Sequence, residues 1–85
     1  MHYVYLLRSR ETDTKYIGCT SDLRKRLQEH NSDKVVSTKN KGPWKLVYYG
    51  AYISKYDAFN REKELKQVYT KKRHLLARLK NSLLE

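Results

Sequence analysis

The chain has 85 residues, and its 19 Lys or Arg against 9 Asp or Glu give a formal net charge of +10 at pH 7. We expect one small domain, residues 1–85, and this charge is typical of polyanion binders, with nucleic acid the commonest partner and an anionic membrane surface the main alternative. No stretch approaches the ~20 apolar residues of a membrane span, the first residues lack a signal peptide, and the single cysteine, Cys19, argues against an internal disulfide and for a reducing cytoplasm.

Two β-rich segments come first in the chain. His2–Leu7 is rich in Tyr, Val and Leu and predicts a first strand, and Lys15–Cys19 predicts a second. The polar connection between them, Arg8–Thr14, is short. We therefore expect an antiparallel hairpin.

A helix and a long loop follow the hairpin. The helix is predicted from about Leu23 to His30, after N-cap candidates in Thr20–Asp22, and Leu23 and Leu27 would face the core. Asn31–Pro43 is polar and predicts a surface loop. Loops of that length in a compact domain are often functional.

A third strand and two helices complete the chain. Trp44–Ile53 has strong β composition, the next helix begins at Ser54 or Asp57, and Thr70 can cap a last helix over Lys71–Leu84. The apolar face of that last helix consists of four leucines: Leu75, Leu76, Leu79 and Leu83. The order β-β-α-β-α-α predicts an α/β (α+β) fold, in which a small three-stranded, mainly antiparallel sheet is flanked by helices.

Glu62 lies where a helix would normally place an apolar residue. At helical spacing, the apolar positions of this helix form one stripe, which consists of Ala58, Phe59, Leu65 and Tyr69. Glu62 lies within that stripe, whereas Glu64 points to the opposite side of the helix. A carboxylate on a core-facing stripe is costly unless it is paired or binds a metal. Glu62 is therefore predicted to be a metal ligand or the partner of a buried arginine.

Four further side chains are candidates for chemistry. Tyr5 and Tyr16 lie on the two hairpin strands, where half-buried tyrosines with their hydroxyls at the rim are also common. Arg26 and His30 are one turn apart at the edge of the Leu23/Leu27 stripe, from which they could reach a cleft. Other basic side chains form either a solvated face or a track for a phosphate backbone, and we predict nucleic-acid contacts for Arg24, Lys25, Lys34, Lys39, Lys41 and Lys66.

Several short segments together resemble the GIY-YIG nuclease family, and most of all its small stand-alone bacterial members. The resemblance covers nearly the whole chain and is carried by Tyr3-Val4-Tyr5, Tyr16-Ile17-Gly18, Arg26 within Asp22–Leu27, Glu62 within Arg61–Lys66, and Pro43–Tyr48. There are two departures. Tyr3-Val4 replaces the usual Gly-Ile of the first motif, and Gly50 stands where relatives often have an acid.

The resemblance implies a role for each matching residue. Tyr5 would be the general base, while Tyr16 and His30 would hydrogen-bond to the water, the phosphate or each other. Arg26 would neutralise the phosphate oxygens. Glu62 would be the single carboxylate that binds one Mg²⁺ or Mn²⁺. Cys19, His2 and His74 have no such role, because no base is placed beside the cysteine and no zinc-ligand spacing occurs.

The predicted function is a divalent-metal-dependent endonuclease that hydrolyses DNA phosphodiester bonds, acting on branched or damaged DNA in repair or recombination. The alternative is a catalytically silent nucleic-acid-binding module with the same fold. Binding to a membrane surface is disfavoured, because the chain has no clean basic amphipathic helix. RNA is not excluded as a substrate. A protein partner could supply specificity, since no separate DNA-binding domain is present.

Overall fold

A computed structural model describes residues 1–85, and its three strands form one antiparallel sheet. The strands are β1 (His2–Ser9), β2 (Lys15–Thr20) and β3 (Trp44–Tyr52), in the order β2-β1-β3. The predicted hairpin is confirmed, because β1 pairs with β2 in antiparallel register. Strand β3 pairs along the other edge of β1, so β1 lies at the centre of the sheet.

Three helices flank this sheet, which confirms the predicted fold class. They are α1 (Leu23–Asn31), α2 (Lys55–Gln67) and α3 (Tyr69–Arg78). Asp22 caps α1 by accepting the Lys25 backbone N–H at 3.1 Å. Ser54 caps α2 in the same way. None of these helices combines the length and the apolar composition needed to cross a bilayer.

Both faces of the sheet are covered, and the alternation of β1 assigns its side chains to two separate cores. One core joins β1 and β2 to α2 and α3, and contains Val4, Leu6, Ile17, Ala58, Leu65 and Leu75. The other core lies under α1, and contains Tyr5, Leu7 and Trp44 with Tyr16, Leu23, Leu27 and Leu46 packed around them. The run Val4–Leu7 is buried throughout because its residues point alternately into these two cores.

The apolar stripe of α2 is narrower than its sequence predicts. Ala58 and Leu65 are buried, but Phe59 is 45% exposed. Tyr69 is 75% exposed and belongs to α3, because α2 ends at Gln67. Glu62 therefore lies at the edge of the buried stripe, and not at its centre.

The last helix differs from its predicted bounds at both ends. Val68 has an extended backbone (φ −105°, ψ 102°) that separates α2 from α3, so α3 begins at Tyr69 and Thr70 does not cap it. Helix α3 ends at Arg78, and a separate 3₁₀ turn, Ser82–Leu84, follows it. A β-branched residue such as Val68 favours this extended conformation.

The segment after α1 is more than a surface loop. Val35 and Thr38 are buried, and Val36–Thr38 forms a 3₁₀ turn. Asn31 accepts the Trp44 backbone N–H at 2.7 Å, and the Trp44 indole N–H donates to the Thr38 carbonyl at 3.3 Å. These contacts attach the segment to the core under α1, so the prediction of an exposed loop is wrong for Val35 and Thr38.

Candidate active site

A buried tyrosine and a buried histidine form the centre of the candidate site. The Tyr5 hydroxyl lies 2.8 Å from Nε2 of His30, and the two side chains come from the central strand and from the last turn of α1. His30 is 0% exposed and Tyr5 is 2% exposed. A buried polar pair of this kind is stable only when its hydrogen-bonding groups are satisfied.

Thr38 satisfies the other nitrogen of the histidine. Its Oγ1 lies 2.7 Å from Nδ1 of His30, and it is within 3.5 Å of the Val35 carbonyl. The Thr38 hydroxyl donates to this carbonyl, so it accepts the hydrogen bond that Nδ1–H of His30 donates. Nε2 is then the unprotonated nitrogen, and it accepts the hydrogen bond donated by the Tyr5 hydroxyl.

Burial sets the protonation of both groups. It raises the pKa of Tyr5 to about 12, an effect that the Arg26 guanidinium partly offsets and the neighbouring Tyr16 reinforces. Burial also lowers the pKa of His30, with a further contribution from Arg26. At neutral pH the pair is therefore a protonated phenol that donates its hydrogen bond to a neutral imidazole.

Tyr16 lies against the same histidine but is more accessible than Tyr5. Its ring centroid is 5.1 Å from that of His30 and 6.4 Å from that of Tyr5. Its hydroxyl accepts a hydrogen bond from Ser37 at 3.4 Å. The structure thus brings three of the predicted site residues, Tyr5, Tyr16 and His30, into one aromatic cluster.

Gly18 makes room for the ring of Tyr5. The two residues are partners in the β1–β2 register. A Cβ at position 18 would lie 2.8 Å from Cε2 of Tyr5, and closer still to Cζ and the hydroxyl oxygen. The glycine of the Tyr16-Ile17-Gly18 segment is therefore required by close packing. A glycine inside a strand is the sequence signal for such an approach.

Arg26 joins this cluster to a groove at the start of α1. The interaction with Tyr5 raises the pKa of Arg26, which also forms an ion pair with Glu29 at 3.3 Å. The groove has a volume of about 380 Å³ and is lined by Cys19, Thr20, Ser21, Asp22, Lys25, Arg26 and Glu29. The lining combines two cations with two carboxylates, and a phosphate in this groove would meet the Arg26 guanidinium, which also interacts with Tyr5.

Glu62 approaches the site from α2. Its carboxylate forms an ion pair with Lys66 at 3.2 Å, and the Lys66 ammonium lies 5.5 Å from the centroid of the Tyr16 ring. After burial, the Glu62 charge is the main factor that raises the pKa of Cys19, and it contributes a smaller increase at Tyr5. The buried-arginine alternative is wrong, because the partner of Glu62 is a lysine.

The predicted nucleic-acid contacts do not all lie together. Lys25 lines the groove beside Arg26, and Lys25 and Lys34 line a second shallow cleft at the outer side of α1. Lys66 lies at Tyr16, as described above. The remaining three side chains, Arg24, Lys39 and Lys41, are exposed.

One oxygen ligand is available for a hard cation. No group of three or more His, Cys, Asp and Glu side chains is arranged so that the protein alone could hold a metal ion. The partly exposed Glu62 carboxylate fits a different type of site. In such a site one carboxylate binds the ion, while water molecules and substrate oxygens provide its other ligands.

Sequence reasoning missed Thr38 and the pairing of Lys66. No local pattern distinguishes Thr38 from the other polar residues of its loop, and only its contact with His30 gives it a role. Lys66 lies four residues after Glu62, a spacing that is typical of helical ion pairs and could have identified the partner.

Comparisons with known proteins show the family of this chain. The sequence profile of the GIY-YIG catalytic domain matches residues 1–75. A UPF0213 protein of Halalkalibacterium halodurans is 35% identical over 85 residues, which cover 99% of this chain and 89% of the relative. A UPF0213 protein of Oceanobacillus iheyensis is 38% identical over 68 residues, which cover 79% and 78% of the two chains.

A solved structure supports the same relationship. The solution NMR structure of a UPF0213 protein from Bacillus halodurans is similar to this fold with a TM-score of 0.56 and 36% sequence identity. The match covers 93% of this chain and 84% of that one. With the profile match over most of its length and relatives above 30% identity, this chain belongs to the GIY-YIG nuclease family.

Proposed function

We propose that this protein is a divalent-metal-dependent endonuclease that hydrolyses DNA phosphodiester bonds, with branched or damaged DNA in repair or recombination as its substrate. The observation that carries the proposal is the chain from Tyr5 through His30 to Thr38. A buried phenol that donates to a neutral histidine is suited to proton transfer, and Lys25 and Arg26 in the groove beside it are suited to contact a phosphate. In this proposal residues 1–85 act as one nuclease domain.

Tyr5 is the general base of this mechanism. A tyrosine whose pKa is about 12 is a poor base while it keeps its proton. His30 solves this problem, because Nε2 accepts the Tyr5 proton as the phenol oxygen takes a proton from the attacking water. Arg26 stabilises the negative charge that develops on the Tyr5 oxygen during this transfer and on the phosphate oxygens.

Tyr16 and Glu62 complete the set. Tyr16, whose ring packs against His30 beside Tyr5, orients the water or the phosphate. Glu62 would hold Mg²⁺ or Mn²⁺, and the bound ion would polarise the phosphate and stabilise the charge that develops on it. Lys66, released from Glu62, would be free to contact the DNA backbone.

The second candidate is a silent nucleic-acid-binding module. The ion pair between Glu62 and Lys66 favours it, because this pairing already neutralises the carboxylate. In either case we place the protein in the reducing cytoplasm, since its one cysteine is free, and we assign target choice to a protein partner or to DNA structure.

The deciding experiment is a panel of labelled nucleic acids incubated with Mg²⁺ or Mn²⁺, or with EDTA. The panel contains single-stranded, duplex, nicked, flap and four-way DNA, together with a matching RNA strand. Metal-dependent cleavage that is lost in both Tyr5→Phe and Tyr16→Phe supports the nuclease. Tight binding without cleavage of any substrate, with either metal, would establish the silent module.

A further inference from the structure

Two tyrosines adjoin the candidate site on an open part of the sheet. Tyr3 lies two residues before Tyr5 on β1, so its side chain is on the same face. Tyr49 is the direct partner of Tyr5 on β3. The rings of Tyr3 and Tyr49 meet edge to face, with centroids 5.8 Å apart and planes at 71°. We call this pair the aromatic platform.

Helix α1 covers only one end of this sheet face. The buried cluster under it includes Tyr5, Leu7 and Trp44, but neither member of the platform. Tyr49 is 53% exposed, and Tyr3 is half-buried. A lone exposed tyrosine is ordinary on a strand, but here two rings in contact lie beside the catalytic candidate. They also lie outside both cores.

The groove that contains Arg26 borders the part of the sheet that carries the aromatic platform. Thr20 is the β2 partner of Tyr3, and it lines the groove together with Lys25 and Arg26. A polynucleotide whose phosphate occupies the groove would therefore pass beside the platform. The cationic side chains would contact its backbone, and the rings would be close to a neighbouring base.

We propose that Tyr3 and Tyr49 bind an unpaired nucleobase next to the phosphate that is cut. Every nucleobase has a flat π face that stacks on an aromatic side chain, and exposed aromatic residues on a sheet are suited to this contact. Inside a duplex these faces are already stacked on their neighbours. The platform therefore favours a flap, a gap or a single-stranded end over continuous duplex.

This inference rests on the proposed function, and it narrows the substrate class. It also assigns a role to one departure from the family motif. The first motif usually begins with glycine, which has no side chain to stack, whereas this chain has Tyr3 at that position. The ring replaces a bare backbone on the face that carries Tyr5.

The test compares Tyr3→Leu and Tyr49→Leu with wild type and with Tyr56→Leu as the control. Tyr56 is exposed on α2 and is absent from the candidate site. Affinities are measured in EDTA, so that no strand is cut, for a single-stranded oligonucleotide, a flap and a blunt duplex. A 2-aminopurine in the flap reports stacking through quenching of its fluorescence.

The platform variants should lose roughly five- to 150-fold in affinity for single strands and flaps, the range that one stacked base contributes. Their affinity for duplex should stay within about twofold of wild type, because the contacts of Lys25 and Arg26 with the DNA backbone remain. An abasic residue in the flap should reduce the affinity of the wild-type protein by the same factor, and it should not change the affinity of the variants. Tyr49→Leu keeps the test valid if Tyr3→Leu does not fold, since Tyr49 is the more exposed ring.

Equal losses for duplex and single strands, or an unchanged affinity in both variants, would overturn the platform. Cleavage of the same oligonucleotides with Mg²⁺ separates this outcome from a failure of the proposed function. If wild type quenches 2-aminopurine through Tyr3 and Tyr49 but cuts nothing, the platform stands and the nuclease proposal fails. If wild type cuts and the variants bind unpaired bases normally, only the platform fails.

Discussion

The ring of Tyr5 lies directly across the backbone of Gly18, its partner in the neighbouring strand. This contact directs the Tyr5 hydroxyl towards His30, 2.8 Å away. The glycine thereby positions a side chain on another strand, and its own missing side chain is the reason that it can do so.

Gly18→Ala should therefore displace Tyr5 and abolish cleavage. The new methyl group would overlap the Tyr5 ring, which is buried and has no free space to move into. Overpacking of this kind typically costs about 1–3 kcal/mol of unfolding free energy. Chemical denaturation and a cleavage assay measure the two effects. Gly50→Ala is the control, since its Cβ would meet the movable tip of Tyr48 at 3.1 Å and would make an ordinary contact with the Tyr52 ring at 3.6 Å. Equal activity of the two variants would contradict the packing role of Gly18.

Thr38→Val should impair catalysis more than substrate binding. Valine keeps the shape of the side chain but cannot accept the hydrogen bond from Nδ1–H. His30 therefore loses the contact that keeps Nε2 unprotonated and free to accept from Tyr5. A loss of roughly ten- to a hundred-fold in kcat is expected, as when a partner that orients a functional histidine is removed. Thr38→Ser retains the hydroxyl and should restore kcat. If Thr38→Val and Thr38→Ser lose kcat to the same extent and the pH profile of kcat does not change, Thr38 acts only in packing.

Glu62→Gln should separate binding from cleavage. The amide removes the charge that would hold the metal and also negative charge near the phosphate, so cleavage should fall by several orders of magnitude while DNA affinity stays level or rises. Stability should change by less than about 1 kcal/mol, because the lost ion pair with Lys66 is partly exposed. Glu64→Gln is the matched control, since Glu64 is also ion-paired, with Arg61 on the same helix. If the two variants are equally damaged, Glu62 has no special role.

The raised pKa of Tyr5 should make stability decrease at high pH. An unfolded tyrosine loses its proton near pH 10, whereas folded Tyr5 keeps its proton up to about 12. The folded state binds the Tyr5 proton more tightly than the unfolded state. The stability that this contributes is therefore fully present below pH 10 and is lost as the pH rises towards 12. The unfolding free energy of wild type minus that of Tyr5→Phe should therefore decrease through this window, by on the order of 3 kcal/mol in all. Urea denaturation at several pH values tests this, and a difference that stays flat above pH 10 would show that burial does not hold the proton.

The loop lysines should contribute to the salt dependence of DNA binding. Replacing Lys34, Lys39 and Lys41 with alanine should reduce the slope of log affinity against log salt by roughly 0.9 for each lysine that contacts a phosphate of duplex DNA. The charge-matched control replaces Lys71, Arg73 and Arg78 of α3, the helix packed on the opposite face of the sheet. The same decrease in both triple variants would indicate general attraction without contact by the loop.

Much of the fold follows from local patterns. The hairpin, α1 with its Asp22 cap, and β3 are encoded in runs of neighbouring residues, because side-chain period, capping and β propensity act over a few positions. The last helix shows the limit of these signals. Its start depends on one extended residue, Val68, and four leucines at helical spacing do not determine where the helix ends.

The sequence by itself also predicted site roles for Tyr5, Tyr16, Arg26 and Glu62, since their types and spacing carry the family resemblance. Only the tertiary structure decided that Thr38 is buried against His30 and that Tyr3 lies beside Tyr49. Tyr3 and Tyr49 meet because their strands pair, and Thr38 reaches His30 because the loop folds back on α1, whereas the pairing of Lys66 with Glu62 follows from their spacing on α2. Local pattern specifies which groups are present, whereas the packing of α1, α2 and the loop on the sheet determines which of them meet.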